Sequence, residues 1–140
     1  MIPEKYIIKK RAVYKVTCPY CNVPALLVDS AVVFPASRGL IYLCFNWPEC
    51  DARVGCHGVS HKPLGTPARK LLRGLRIKTH AVLDPFWKEG HLSRCGVYNK
   101  LAKAMGIPFS KCHIGLFNEE QCQWVIDFLK TEGFRTIINE

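Results

Sequence analysis

The chain has 140 residues, of which 20 are Lys or Arg and 11 are Asp or Glu, so its formal net charge is +9. A hydrophobic content of 49% is ordinary for a folded protein and argues against disorder. No apolar run approaches the ~18–20 residues that a membrane span needs, and residues 1–6 lack the apolar stretch of a signal peptide. We therefore expect one compact, soluble domain in the cytoplasm, without contact to a membrane.

The positive charge is concentrated in the first part of the chain. Residues 1–80 contain 13 Lys or Arg and four acidic residues, whereas residues 81–140 contain seven of each. No acidic residue lies between Asp51 and Asp84. A field of one sign attracts polyanions, so the basic residues of this interval are candidate contacts for a nucleic acid or an acidic host protein, although a solvated face is the alternative. They are Arg53, Lys62, Arg69, Lys70, Arg73, Arg76 and Lys78.

The first part of the chain predicts a small β unit with cysteines at its turns. Short strands are expected over residues 12–16, 40–43 and 52–54, because these segments are apolar and β-prone. Residues 35–39 read Pro-Ala-Ser-Arg-Gly and predict a turn before the second of these strands. Residues 57–66 are the expected connector to the rest of the chain.

Three helices are predicted after the connector, the first with Thr66 as N-cap, Pro67 at the first helical position, and an end near Asp84. Its core-facing residues are expected to be Ala68, Leu71, Leu72, Leu75, Val82 and Leu83. Its basic face is expected to carry Arg69, Arg73, Arg76 and His80.

The second helix is predicted to begin after Ser93 and to stop at Gly106, which Pro108 follows. The third is predicted to begin after Asn118, with Gln121 as its capping-box partner. The side chains expected in its buried face are Cys122, Val125, Ile126 and Leu129.

Four cysteines have spacings typical of zinc ligands. Cys18 and Cys21 form a C-x2-C turn, and Cys44 and Cys50 form a C-x5-C pair after 22 intervening residues. Zn²⁺ takes four thiolate or imidazole ligands in a tetrahedron, which two such turns can supply. We therefore predict a zinc ribbon in which these four cysteines bind Zn²⁺. Four thiolates leave no open coordination position, so the metal is expected to be structural.

Alternatives to this ligand set remain open in the sequence. Cys56 or His57 is a substitute for Cys50, because the second pair is wider than the common C-x2-C. Cys18-Pro-Tyr-Cys21 also matches the redox motif of glutaredoxins, but that motif needs a helix after the turn, and residues 22–28 are β-prone instead. A second metal at Cys112 and His113 is conceivable. Cys95 and Cys122 are expected to be buried thiols.

Further motifs accompany the cysteines. They are Asp51–His57, Lys62–Thr66, the Arg73, Arg76 and His80 helix, Asp84–Trp87, Arg94–Tyr98 and Cys112–Gly115. Together with CPYC and the second cysteine pair, they resemble the zinc-finger-containing domain family of unknown function that is found in bacteriophages and bacteria. The resemblance runs from about Cys18 to Val125. It implies a zinc site and a phage or prophage setting, and it implies no particular activity.

Taken together, the sequence predicts an α+β protein, with an N-terminal zinc ribbon in residues 1–60 and a three-helix unit in residues 61–140. The two parts are expected to pack as one compact domain around a shared core. No catalytic residue is assigned, and the oligomeric state is not predicted.

Three functions are compatible with these features. The first is nucleic-acid binding, in which the basic residues meet phosphates and four aromatic residues near the cysteines stack on bases. These are Tyr20, Tyr42, Phe45 and Trp47. The second is a protein-interaction module that binds and redirects a host protein. The third is a nuclease using His57, His80, Asp84 or His113, which ranks last because residues 52–83 offer no carboxylate for Mg²⁺.

Overall fold

The computed structural model describes residues 1–9 and 14–139, the last of these by its backbone alone. Within that part the chain forms strands β1 (Ala25–Asp29), β2 (Leu40–Cys44) and β3 (Arg53–Gly55), and then helices α1 (Lys70–Leu83), α2 (Pro85–Lys88), α3 (Arg94–Met105), α4 (Glu119–Phe128) and α5 (Glu132–Asn139). The fold is therefore α+β, with the sheet preceding the helices. The chain divides into two compact units, Met1–Lys70 and Leu71–Glu140.

The first unit is built on an antiparallel sheet in the order β1-β2-β3. Cys44 lies opposite Ala25 on β1, and its neighbour Leu43 lies opposite Arg53 on β3. One face of the sheet buries an apolar cluster, against which Trp47 packs. The buried members of that cluster are Ile2, Val28, Ile41 and Leu43.

The strand predicted over residues 12–16 is wrong in the part that the structure describes. Residues 12 and 13 lie outside the described residues, and residues 14–16 have no strand assignment. Instead the carbonyl of Val16 accepts a hydrogen bond from the Ala25 amide at 2.8 Å, and Thr17 forms an isolated bridge with Pro24. Because only these local pairings form, the segment is a linker into the cysteine turn.

Helix α1 begins later than predicted, at Lys70. The predicted start at Thr66 and Pro67 is wrong because Ala68 pairs with the edge strand of the sheet. The amide of Arg53 donates to the Ala68 carbonyl at 3.1 Å, and the amide of Ala68 donates to the Arg53 carbonyl at 3.0 Å. This segment is therefore extended, and Ala68 is buried in the first unit.

The face of α1 that enters the core also differs from the prediction. Leu72 and Leu83 are buried as expected, but Leu71, also expected in the core, is 69% exposed. Ile77, which was not predicted to face the core, is 71% exposed. Arg76, expected on the basic face, is only 9% exposed. The helix is therefore rotated relative to the prediction, and its exposed side carries both aliphatic and basic residues.

Helices α3 and α4 begin as the sequence predicts. The Ser93 hydroxyl accepts a hydrogen bond from the Gly96 amide at 3.1 Å, and α3 ends at Gly106, whose φ of 71° is left-handed. At α4, Asn118 and Gln121 exchange side-chain to backbone hydrogen bonds and form the predicted capping box.

Besides four short 3-10 helices, the described residues contain two α-helices beyond the three predicted. Helix α2 starts at Pro85, directly after α1, and α5 follows α4. Phe134 of α5 is fully buried, and its ring meets the ring of Phe86 edge-on at 4.9 Å. Among the described residues, no helix is both long enough and apolar enough to cross a membrane.

Candidate zinc centre and basic surface

The four cysteines predicted as zinc ligands come together in the first unit. The Sγ atoms of Cys18, Cys21, Cys44 and Cys50 all lie within 4.8 Å of one another. Three of these residues are buried and Cys21 is half-buried. In the described part of the chain, this is the one group of three or more Cys, His or acidic side chains gathered closely enough for a metal ion.

The first arm of this centre is the tight turn at Cys18-Pro-Tyr-Cys21. The Cys18 amide donates to the carbonyl of Val23 at 2.8 Å, and the Asn22 amide donates to the carbonyl of Cys18 at 2.9 Å. Asn22 closes the turn with a φ of 56°, a left-handed conformation that Asn tolerates better than most residues. The turn thereby directs both thiols to the same side.

The second arm is delivered by the sheet. Cys44 ends β2, where its amide donates to the carbonyl of Ala52 at 2.9 Å. The chain then turns, and the Cys50 amide donates to the carbonyl of Asn46 at 3.1 Å. In the same turn the Asn46 amide points at Cys44 Sγ at 3.4 Å. Five intervening residues therefore bring the thiols of Cys44 and Cys50 together, as two intervening residues do in the C-x2-C turn.

The sulfur geometry fits a tetrahedral zinc ion. With Zn–S bonds of about 2.3 Å, the sulfurs of a tetrahedron lie about 3.8 Å apart. The Cys18 and Cys50 Sγ atoms are 3.8 Å apart. The donor set, four clustered thiols of which three are buried, is that of a structural zinc site, so Zn²⁺ is the cofactor that these residues suit.

The two alternative ligands do not join the cluster. The Cys56 thiol donates to the carbonyl of Leu40 at 3.4 Å. Leu40 stands at the opposite end of β2 from Cys44, and four residues of strand span roughly 13 Å. His57 is exposed. Cys56 and His57 therefore lie outside the group of thiols that can share one metal ion.

The electrostatic environment of the thiols is uneven. Burial raises the pKa of Cys44 to about 12, against a smaller opposing effect of the Asn46 amide. Burial also acts to raise the pKa of Cys50, but hydrogen bonds with the Ala52 amide, the Arg69 guanidinium and the Cys21 and Cys44 thiols together lower that pKa to about 7. Since zinc binds thiolates, the metal must displace protons from this centre when it binds.

The predicted basic residues take different positions. Lys62, Arg69, Lys70 and Lys78 are exposed, whereas Arg53 and Arg73 are half-buried. Arg76 is the exception, because its side chain is buried and does not reach the predicted binding face. Its guanidinium is buried and donates to the carbonyl of Phe117 within the second unit.

The sequence pattern did not identify Arg38 as a candidate binding residue. Arg38 lies alone in the turn before β2, yet its guanidinium stands 4.2 Å from the ring centroid of Phe34. The guanidinium of Arg53 lies 5.2 Å from the same centroid. Because their sequence separation is 15 residues, this pairing depends on the sheet and cannot be read from local spacing.

The predicted stacking residues also separate into two groups. Tyr20 and Phe45 are exposed, although the Arg69 guanidinium lies 4.5 Å from the centroid of the Tyr20 ring. Tyr42 is buried and donates from its hydroxyl to the His61 carbonyl at 2.6 Å. Trp47 packs against the apolar cluster of the sheet. Tyr42 and Trp47 are therefore part of the fold.

The remaining cysteines and histidines form no second metal centre in the described residues. Cys112 and Cys122 are buried, as expected for Cys122, but Cys95 is exposed, so its predicted burial is wrong. It occupies the first turn of α3, ahead of the buried positions of that helix. His80 Nδ1 lies 3.4 Å from Asp84 Oδ1, which also accepts a hydrogen bond from the Trp87 indole at 3.2 Å.

Comparison with known proteins identifies the chain at the level of its family. The model of a family described as a zinc-finger-containing domain matches residues 14–132. No curated protein and no solved structure matches the chain. The matched segment includes all four clustered cysteines and most of the helical unit. With that coverage and a thiol cluster of the right geometry, the chain belongs to the zinc-finger-containing domain family.

Proposed function

We propose that this protein is a zinc-stabilised nucleic-acid-binding protein, with Cys18, Cys21, Cys44 and Cys50 as the zinc ligands. The observation that supports nucleic-acid binding best is the pairing of Arg38 and Arg53 over the single ring of Phe34. Two guanidinium groups beside one aromatic side chain concentrate positive charge at one place, which attracts a phosphate group. The ring positions both side chains before a ligand arrives.

Further residues of the first unit support this proposal. Arg53 is joined through its backbone to Ala68, and exposed Lys70 lies two residues beyond Ala68. Exposed Phe45, and the part of the Tyr20 ring that Arg69 does not cover, supply aromatic surface on which unpaired bases can stack. Residues 52–83, which include Arg53 and Lys70, contain no carboxylate, and Asp51 precedes Arg53 by two residues. The combination suits single-stranded nucleic acid, which offers both phosphates and free base faces.

Binding through phosphates releases counterions, so the affinity must fall as salt rises. Each phosphate neutralised contributes about 0.7 to the slope of log K against log salt for single strands, and about 0.9 for duplex DNA. Removing both guanidinium groups over Phe34 should therefore reduce the magnitude of the slope by about 1.4 for single strands.

Fluorescence anisotropy with labelled single-stranded DNA, single-stranded RNA and duplex DNA tests this, with salt varied between about 50 and 200 mM. The variant is Arg38→Gln with Arg53→Gln. The matched control, Lys111→Gln with Lys130→Gln, removes two positive charges from exposed positions of the second unit. We expect weaker, less salt-dependent binding by the variant and near-wild-type binding by the control. Affinity that does not change with salt, or an equal loss in the control, would contradict the proposal.

A second candidate function, binding to an acidic host protein, is supported by the exposed side of α1. Leu71 and Ile77 are largely exposed there, beside Lys70 and Lys78, and the helix contains no acidic residue. Exposed aliphatic side chains gain nothing from contact with the phosphate groups of a nucleic acid. An acidic amphipathic protein segment, in contrast, would cover these side chains and pair with the lysines. Such a partner would suit a phage-encoded factor that redirects its host.

Affinity capture from host lysate after nuclease treatment tests this second function. A stoichiometric protein captured by the wild type, and lost with Leu71→Ser and Ile77→Ser together, is the expected result. Capture that disappears on nuclease treatment, or that persists unchanged in the double variant, would count against it.

We further propose that the protein works in the cytoplasm. A site of four thiolates requires reduced cysteines, which reducing compartments maintain, and each of the eight cysteines is free of disulfides. Protein exported to an oxidising periplasm should then contain much less zinc than protein made in the cytoplasm, as elemental analysis would show.

A further inference from the structure

The guanidinium of Arg69 reaches across the zinc centre from one cysteine arm to the other. Its Nε lies 3.5 Å from Cys50 Sγ, and its Nη2 lies 4.0 Å from Cys21 Sγ. Cys21 belongs to the C-x2-C turn, and Cys50 belongs to the turn that follows β2. One side chain therefore donates to thiols from both arms.

The position of Arg69 is fixed at several points. Its guanidinium carbon lies 4.5 Å from the ring centroid of Tyr20, a residue inside the C-x2-C turn. Its amide donates to the Tyr20 hydroxyl at 3.2 Å. The preceding residue, Ala68, is paired with Arg53 of β3 in both directions. Backbone, ring and guanidinium contacts thus hold one geometry, which a solvated surface arginine would not have.

The net charge of a four-thiolate zinc site explains why these guanidinium contacts would stabilise it. A Zn²⁺ ion with four thiolates carries a net charge of about −2, which a buried centre must offset. N–H groups that point at thiolate sulfurs do so, and residues outside the ligand set commonly tune affinity in this way. A planar guanidinium can address two sulfurs at once, whereas a lysine ammonium acts as a single point charge.

We propose that Arg69 is a positioning residue of the zinc centre, donating hydrogen bonds to the thiolates of Cys21 and Cys50 and holding the two arms closed on the metal. Its guanidinium is then engaged by the thiolates, and it is not a phosphate contact. The same hydrogen bonds make the two sulfurs poorer nucleophiles. This inference rests on the proposed zinc ligands, and it does not require that the protein bind nucleic acid.

The test compares wild type with Arg69→Gln, Arg69→Lys and the control Arg38→Gln. Arg38 also stacks its guanidinium on an aromatic ring of the first unit, but that ring is the Phe34 ring. Three readouts are taken on full-length protein: zinc affinity by chelator competition, the thiolate-to-metal charge-transfer band of the Co²⁺ form, and the rate of alkylation by iodoacetamide. In the last reaction a thiolate sulfur forms the S–C bond and iodide leaves.

For Arg69→Gln we expect zinc binding about 10-fold weaker, faster alkylation of Cys21 and Cys50, and a charge-transfer band at lower energy. Arg69→Lys should lie between Arg69→Gln and wild type, and Arg38→Gln should match wild type. The band reports electron density on sulfur, so a purely structural role of Arg69 would not shift it.

The proposal is overturned if the Co²⁺ band, the affinity and the alkylation rate of Arg69→Gln all match wild type, or if Arg38→Gln changes them equally. A wild-type protein without stoichiometric zinc overturns it too. Should Arg69→Gln fail to fold with metal, Tyr20→Leu replaces it, because that change removes the ring beneath the guanidinium. An unshifted band in Tyr20→Leu is then the contradicting result.

Discussion

Arg76 donates two hydrogen bonds from its guanidinium to the carbonyl oxygen of Phe117, from Nε at 3.1 Å and from Nη2 at 3.0 Å. Arg76 lies on α1, and Phe117 immediately precedes the N-cap of α4, so one side chain joins two segments that are 41 residues apart. Burial of such a charge is tolerated only when its donors find acceptors. Arg76 therefore belongs to the framework of the second unit.

Replacing Arg76 with Ala should destabilise the protein by about 2–4 kcal/mol, because the Phe117 carbonyl loses two charged donors and a cavity forms. Urea unfolding followed by circular dichroism measures this. The control is Lys78→Ala on the exposed side of the same helix, which should change the unfolding free energy by less than about 0.5 kcal/mol. Equal losses in the two variants would show that Arg76 is not the buried partner of Phe117.

Two neighbouring leucines test the rotation of α1. Leu72 is buried and Leu71 is largely exposed. Leu72→Ala should cost about 2–4 kcal/mol of unfolding free energy, whereas Leu71→Ala should cost less than about 0.5 kcal/mol. The two variants make the same chemical change one residue apart, so propensity effects cancel. If Leu71→Ala lowers the unfolding free energy more than Leu72→Ala does in the same urea titration, Leu71 faces the core, as hydrophobic periodicity predicts.

Local signals were sufficient for much of the fold. The caps at Ser93, Gly106 and Asn118 depend on residues within one helical turn, so sequence spacing alone predicts them. The four clustered thiols were also predicted, because a chelating turn is a short-range feature. The buried face of α1 was not predicted correctly, because two of its four buried side chains are polar.

The buried stripe of α1 consists of Leu72, Arg76, Thr79 and Leu83, which follow an i, i+4, i+7, i+11 pattern. The hydroxyl of Thr79 donates to the Leu75 carbonyl at 2.7 Å, and Arg76 bonds to a distant carbonyl. A hydrophobicity criterion discards both residues and selects exposed Leu71 instead. Likewise, the start of α1 and the pairing of Arg38 with Arg53 depend on tertiary contacts that no local pattern encodes.

Zinc should be lost when one clustered cysteine is replaced and kept when another buried cysteine is replaced. Cys44→Ser should reduce the metal content from one zinc per chain to nearly none, because three thiolates hold the ion far more weakly. Cys112→Ser changes an equally buried thiol of the second unit and should retain the metal. Elemental analysis after dialysis against a weak chelator measures both.

Chelation of the wild type should also lower the unfolding free energy, since zinc-binding energy contributes to folding energy in such sites. A Cys44→Ser protein that keeps stoichiometric zinc would contradict the proposed ligand set, and a Cys56→Ser protein that loses zinc would make Cys56 a ligand.

The thiols outside the zinc centre should differ widely in reactivity. The thiolate is the nucleophile, so a thiol whose pKa is raised reacts more slowly at a given pH. Burial raises the pKa of Cys112 to about 11, so at pH 8 only about one molecule in a thousand has this thiol ionised, and the side chain is also inaccessible. Burial likewise raises the pKa of Cys122, whereas Cys95 is exposed.

In zinc-loaded protein treated with iodoacetamide at pH 8, peptide mass spectrometry should find Cys95 alkylated first and Cys112 and Cys122 protected. In denaturant, all three should react at similar rates. Protection of Cys95, or rapid labelling of Cys112 in the folded protein, would contradict the packing of α3 and of the segment before α4.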